Sequence, residues 1–183
     1  MITRKSFGTM ALALVMGLTA TLTGFAETSE RAMDRMQEKI RKELVTLPFY
    51  SVFDNFQYSI SGNGEVTLLG QVYRPTLKKS AERVVERIEG VTKVTNNIEV
   101  LPNSPADDRI RLATYRAIYG NTALQNMAIR AVPPIHIIVK NGNVTLEGVV
   151  NTKLESQVAE TQARSVGGSF GVTNNLRVEQ GDS

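Results

Sequence analysis

Cysteine is missing from this 183-residue chain. That excludes disulfides, thiolate zinc sites and a lipid-carrying N-terminal cysteine together. Histidine occurs once, His136, inside "PPIHIIVKNG". A single imidazole between isoleucines, with no thiol in the chain, cannot assemble a metal site alone, so a structural or surface role is expected for it. Catalytic patterns are also lacking. No serine sits in a nucleophile elbow, and "GNG" at 62–64 is too short for a phosphate loop and does not precede a helix. The carboxylates are scattered among Lys and Arg, as in "KKSAERVVERIEG", which reads as a solvated helix face with i,i+4 pairs. No catalytic residue, cofactor site or metal site is nominated, and the chain is expected not to be an enzyme.

Long apolar runs are scarce too. The only one spans Phe7 to Leu22, behind Arg4 and Lys5 and ahead of Gly24-Phe25-Ala26. A short basic start, an apolar stretch and small residues at −3 and −1 read as a secretory signal peptide over residues 1–26, cleaved after Ala26. Its removal leaves 19 basic residues against 18 acidic ones. The mature chain is then close to neutral, without the excess that nucleic-acid binding would draw on. No later segment is long and apolar enough to span a bilayer. An export signal without a lipid anchor implies a periplasmic protein.

What the chain does have is a repeat. Shifted by 78 residues, "GEVTLLGQVYRPTLKKSAERVVERIEGVTKVTNNIEV" (64–100) lies on "GNVTLEGVVNTKLESQVAETQARSVGGSFGVTNNLRV" (142–178) without a gap, with 14 of 37 positions identical. That is a tandem duplication. In each copy the "VTL" segment alternates apolar and polar residues, as a strand with one buried face does. Asn63-Gly64 and Asn141-Gly142 are hairpin turns, fed by upstream strands "FQYSIS" and "IHIIVK". A helix follows. Leu77, Ala81, Val84, Val85 and Ile88 mark its core stripe in copy one, with Gly90 at the C-terminal end; Leu154, Val158, Ala159, Ala163 and Val166 do so in copy two. "KVTNNIEV" and "GVTNNLRV" close the units. Another helix precedes each hairpin, Ser29 to about Leu47 and Asp107 to about Tyr119. The predicted fold is α+β: two α-β-β-α-β units, each with two helices packed on a three-stranded sheet. The units span 29–101 and 107–179, separated by a linker at 102–106 ("LPNSPADD" holds the boundary) and followed by a tail at 180–183.

The order helix, strand, "nG.VtL.G.V", amphipathic helix, glycine, "V..V.N.l.V" resembles the BON domain, found in osmotically inducible periplasmic proteins and related envelope proteins. Two-BON envelope lipoproteins share the tandem arrangement, but here without a lipidated cysteine. The resemblance implies phospholipid binding, located on the first helix of the second module, and a setting in osmotic or envelope stress.

The residues point to the same helix, because there the copies disagree. In copy one Met36, Ile40, Leu44 and Leu47 form the core stripe, and Glu38, Arg41, Lys42 and Val45 lie opposite. In copy two Ile110, Thr114, Ala117 and Ile118 take the stripe, and the opposite face is Leu112, Tyr115 and Tyr119, flanked by Arg109, Arg111 and Arg116. Such a patch suits an anionic phospholipid surface, with rings in the headgroup region and arginines on phosphate. It suits equally a packing interface against the first unit, for which Phe49, Tyr50, Phe53 and Phe56 offer the other side. A third reading is a protein-interaction or chaperone-like module that holds another envelope protein by this patch or by an exposed strand edge.

Overall fold

The computed structural model describes residues 21–179, with side chains from Arg31 onward. Of the expected leader only 21–26 fall inside that range, as the start of the first helix; 1–20 and the tail at 180–183 lie outside the described residues. From Met36 onward both repeats sit in one compact unit.

Helix α1 (Thr21–Val45) leads into a hairpin of β1 (Asn55–Ile60) and β2 (Glu65–Val72), then α2 (Pro75–Val85), and the short strands β3 (Lys93–Asn96) and β4 (Glu99–Val100). The second repeat runs α3 (Pro105–Tyr119), a 3-10 turn at Gln125–Met127, β5 (Ile135–Lys140), β6 (Asn143–Val150), α4 (Lys153–Arg164), β7 (Gly171–Asn174) and β8 (Arg177–Val178). In each repeat the second hairpin strand is central. It pairs antiparallel with the first strand and parallel with the strand after the helix. The closing strand, expected as one piece, is two in each copy, and both pieces pair with the central strand. Each sheet is therefore mixed, as a crossover helix between parallel neighbours requires.

Local chemistry sets the element ends. Pro75 occupies the first turn of α2, where its missing N–H costs nothing. Ser104 caps α3 by accepting from the Asp107 N–H at 3.2 Å, so that helix starts two residues earlier than its apolar pattern suggests. Thr152 and Glu155 form a reciprocal capping box at α4. In the second hairpin turn Asn141 and Gly142 both have positive φ, 50° and 76°, the two-residue geometry that suits the twist of the flanking strands. Gly70 and Gly148 recur for a steric reason. A Cβ there would lie 2.0 Å from the carbonyl oxygen of Asn55, at the start of β1, or of Pro134, just before β5.

The repeated "VTNN" has a structural use as well. The Asn96 side-chain amide donates to the Lys78 carbonyl at 2.9 Å, and its oxygen accepts from the Ile98 N–H at 3.2 Å. Asn174 likewise ties Ser156 on α4 to the Leu176 N–H. Each asparagine fastens the break between the two closing strands to the helix above it.

The two cores lie between the helices and one face of each sheet. In the first repeat Ile40 and Leu44 meet Val66, Leu68, Leu77 and Ala81. In the second, Ile110 and Ile118 meet Ile135, Ile137, Leu146 and Ala159. Burying each of the larger side chains contributes about 1.5–3 kcal/mol. Leu154 departs from expectation: it is 66% exposed. It falls at the second position of α4, one residue off the stripe, and Ser156 is buried there instead.

Candidate functional site

Helix α3 carries the six residues that the sequence singled out, and they divide into two groups. Arg109, Leu112 and Arg116 are exposed and Tyr115 is half-buried, whereas Arg111 and Tyr119 are buried, 2% and 5% exposed. At about 100° per residue the exposed three lie within about 60° of one another. The buried arc is wider than one stripe can explain, because α3 faces two neighbours. Its own sheet takes Ile110, Thr114 and Ile118, and the segment of the first repeat just before β1 covers the flank.

That segment is the aromatic-rich "LPFYSVFDNF". Val52 inserts into the second repeat's core, and its carbonyl accepts the Ile137 N–H at 2.7 Å. The Phe53 ring meets Tyr115 edge-on at 6.0 Å, and Tyr50 lies 5.7 Å from His136. Phe56 stacks on Tyr50 at 5.1 Å, while Phe49 is 70% exposed under the Arg74 guanidinium. Asp54 fixes the loop, accepting from the Ser51 N–H and hydroxyl and from the Tyr73 N–H at 2.7 Å. Burial raises its pKa, against the lowering effect of those bonds. His136 is shifted down, first by burial and against the attraction of Asp54.

Arg111 and Tyr119 do specific work along β5. In the β5–β6 ladder the backbone groups of Ile135, Ile137 and Val139 point away from β6, toward the open edge. The Tyr119 hydroxyl donates to the Ile135 carbonyl at 2.7 Å and accepts from the Ile135 N–H at 3.0 Å. Val52 takes Ile137. Arg111 Nη2 donates to the Val139 carbonyl at 3.0 Å, with its guanidinium paired to Asp108 and 4.7 Å from the Tyr73 ring centre. Asp107 accepts from the N–H groups of Asn141 and Gly142 at 3.0 and 2.8 Å. Side chains and one loop carbonyl thus stand where a partner strand would. The phenol of Tyr119 is pushed up in pKa by its burial.

The outward half of α3 borders a shallow pocket of about 390 Å3 lined by Tyr50, Phe53, Leu112, Tyr115, Arg130 and Pro133. Leu112 is 47% exposed at its rim, and Ile129, next to the lining residue Arg130, is 86% exposed. Arg109, Arg116 and Arg130 make no ion pair with another described residue. Ile129 and Arg130 were missed in the sequence, where "NMAIRAVPP" shows only a loop whose apolar residues, Met127, Ile129 and Val132, follow no period that tells the buried from the exposed. Among the described residues no group of acidic and histidine side chains could hold a metal ion, and no helix is long and apolar enough to cross a membrane.

Comparison with known proteins finds the BON domain twice, over residues 33–102 and 121–180. Helix α3 falls in the gap between the matched segments. No curated protein matches the chain. Two solved structures of CdsD, a structural protein of the type III secretion system of Chlamydia trachomatis, are similar at 14% identity. The one of its C-terminal domain has a TM-score of 0.27, with 78% of this chain and 96% of that chain covered. For the other the TM-score is 0.29 and the shares are 79% and 92%. At such TM-scores the likeness carries no functional argument.

Proposed function

The chain belongs to the BON domain family, whose members are in general non-catalytic proteins of the bacterial envelope, and on that premise we propose that it associates peripherally with anionic phospholipid surfaces. It acts from the periplasm after removal of a signal peptide, in osmotic or envelope stress. The contact is the outward half of α3 with the adjoining loop. Leu112 and Ile129 enter the interfacial region, the half-buried Tyr115 flanks them, and Arg109, Arg116 and Arg130 take lipid phosphates. Arg111 and Tyr119 support this surface from inside rather than touching lipid.

One observation carries the reading: two exposed large apolar side chains beside an aromatic pocket, with Arg130 in its lining and Arg109 and Arg116 on the same exposed face of α3 as Leu112, none of the three ion-paired to a described residue. An apolar residue ringed by cations suits a surface that is apolar below and anionic above. Each arginine near such a surface contributes about 1 kcal/mol, roughly fivefold in affinity.

Co-sedimentation of the chain from Glu27 with vesicles tests this. Wild type should pellet with phosphatidylglycerol-containing vesicles and less with zwitterionic ones, and salt should release it. Leu112→Ser/Ile129→Ser and Arg109→Gln/Arg116→Gln should each weaken binding at least tenfold while circular dichroism stays unchanged. Absence of wild-type binding, or binding that both variants retain, refutes the proposal.

A further inference from the structure

The two hairpins are near copies, yet their outer edges are treated oppositely. In the first hairpin the Ser61 N–H donates to the Glu65 carbonyl at 2.9 Å. That fixes the phase of the ladder: Ser59, Gln57 and Asn55 bond inward to β2, and the N–H and C=O groups of Phe56, Tyr58 and Ile60 point outward. These positions correspond to Ile135, Ile137 and Val139 of β5, since Phe56 faces Gly70 as Ile135 faces Gly148. On β5 the edge is occupied by Tyr119, Val52 and Arg111. On β1 no described residue bonds any of the three outward pairs. Tyr58 instead sends its own hydroxyl to the Gln37 carbonyl at 2.9 Å.

An open edge is a hazard that proteins blunt with lysine, proline, bulges or a covering element. The sequence of β1, "NFQYSI", contains none of those residues, and no bulge interrupts its register. The edge forms one side of a groove of about 750 Å3 that follows all six residues of β1. Gln37 and Arg41 of α1 line it, as do Glu147, Gly148, Asn175 and Arg177 of the second repeat.

The groove's dimensions suit an extended segment. Six residues of strand span about 20 Å, so a volume of about 750 Å3 leaves a cross-section of about 40 Å2. One extended backbone at the usual spacing of about 4.8 Å fits that width. Charge narrows the choice. Arg41 and Arg177 are exposed and make no ion pair with a described residue. The carboxylate among the lining residues, Glu147, already accepts from the Asn175 amide at 2.8 Å.

We infer that β1 is a docking edge for an extended segment of another polypeptide that carries carboxylates, added as a further strand beside Phe56, Tyr58 and Ile60. Main-chain hydrogen bonds supply the affinity and the two arginines select for acid. This surface is separate from the α3 face, so the inference stands or falls independently of lipid binding.

The probe is a six-residue peptide, Asp-Val-Thr-Val-Thr-Asp with blocked ends, titrated into the chain from Glu27 and followed by amide NMR. Amide hydrogen exchange at Phe56, Tyr58 and Ile60 should slow at least tenfold at saturation, with no shift on α3. A counterpart with proline at alternate positions should not bind, and one with lysine for aspartate should bind at least fivefold more weakly. Arg41→Glu/Arg177→Glu, both at exposed positions, should reverse the aspartate-over-lysine preference. Tyr58→Pro removes an outward N–H without touching the β1–β2 ladder and should abolish binding in a folded chain. Because backbone bonding is tolerant of sequence, no binding at millimolar peptide overturns the inference. So does binding that shifts α3 alone, or a concentration-dependent dimer abolished by Tyr58→Pro, which would assign the edge to self-pairing.

Discussion

Replacing Tyr119 with phenylalanine removes one oxygen atom and should cost more than most such changes. The ring stays packed against Tyr115 at 5.1 Å and within the second core, so the apolar contribution is unaltered. What is lost is a hydroxyl that serves both the N–H and the C=O of Ile135. Ile135 is fully buried, and its edge has no strand to replace the hydroxyl. Each buried polar group left without a partner costs about 1–3 kcal/mol. For two groups, with some local relaxation, the loss should be about 2–4 kcal/mol. In a chain of this size that lowers Tm by roughly 5–15 °C. Urea unfolding followed by circular dichroism gives the value, read from the midpoint at unchanged slope. Tyr58→Phe is the control, because its hydroxyl donates to an exposed carbonyl on α1 and should cost under about 1 kcal/mol. If Tyr119→Phe falls within about 0.5 kcal/mol of that control, the account of β5 as a side-chain-capped edge is wrong. The folded fraction of Tyr119→Phe should bind anionic vesicles as wild type does, since its hydroxyl faces inward.

Arg111→Met should destabilise the chain by about 2–4 kcal/mol, because it opens the Val139 carbonyl and strips a partly buried Asp108 of its cation. Arg109→Met, on the exposed side, should stay within about 0.5 kcal/mol, and equal losses in urea melts would refute the distinction between the two faces. Stability should also fall on acidification through His136. Its folded pKa lies below the ordinary 6.5, so the unfolded chain binds the extra proton first and stability drops as pH falls below about 6.5. Asp54, raised by burial, has the opposite sign: its contribution is present at low pH and is lost as pH rises through its folded value. His136→Gln should therefore flatten the urea midpoint between pH 7.5 and 5, and an unchanged profile would remove His136 as the source.

Much of the architecture was legible because it is local and written twice. "VTL" alternation, the Asn-Gly turns and the helix stripes need only nearest neighbours to act, and two copies in register cancel accidental matches. The misplaced residues fail where a helix has more than one neighbour. A stripe drawn from Ile110, Thr114 and Ile118 assumes that α3 buries one face, but the loop around Val52 and Phe53 packs beside Tyr115 and Tyr119, and the Tyr73 ring and the Val139 carbonyl hold Arg111 inside. Their type was informative without being decisive. Tyrosine and arginine are amphipathic, so a row of them fits a lipid headgroup layer and an orphaned strand edge equally well. What separates the uses is whether unsatisfied backbone groups lie within reach, and backbone edges leave no mark on composition. The same blindness hid the contrast between β1 and β5. "FQYSI" and "HIIVK" both read as first strands of hairpins, and nothing in either says that one edge is filled by α3 and the Val52 carbonyl while the other is bonded by no described residue. Duplication supplied two equivalent edges, and Tyr119 and Arg111 of α3, with Val52 of the loop before β1, occupy one of them. The places where these copies differ in structure are therefore the edges and the helix faces beside them, not the repeated motifs that first identify the fold.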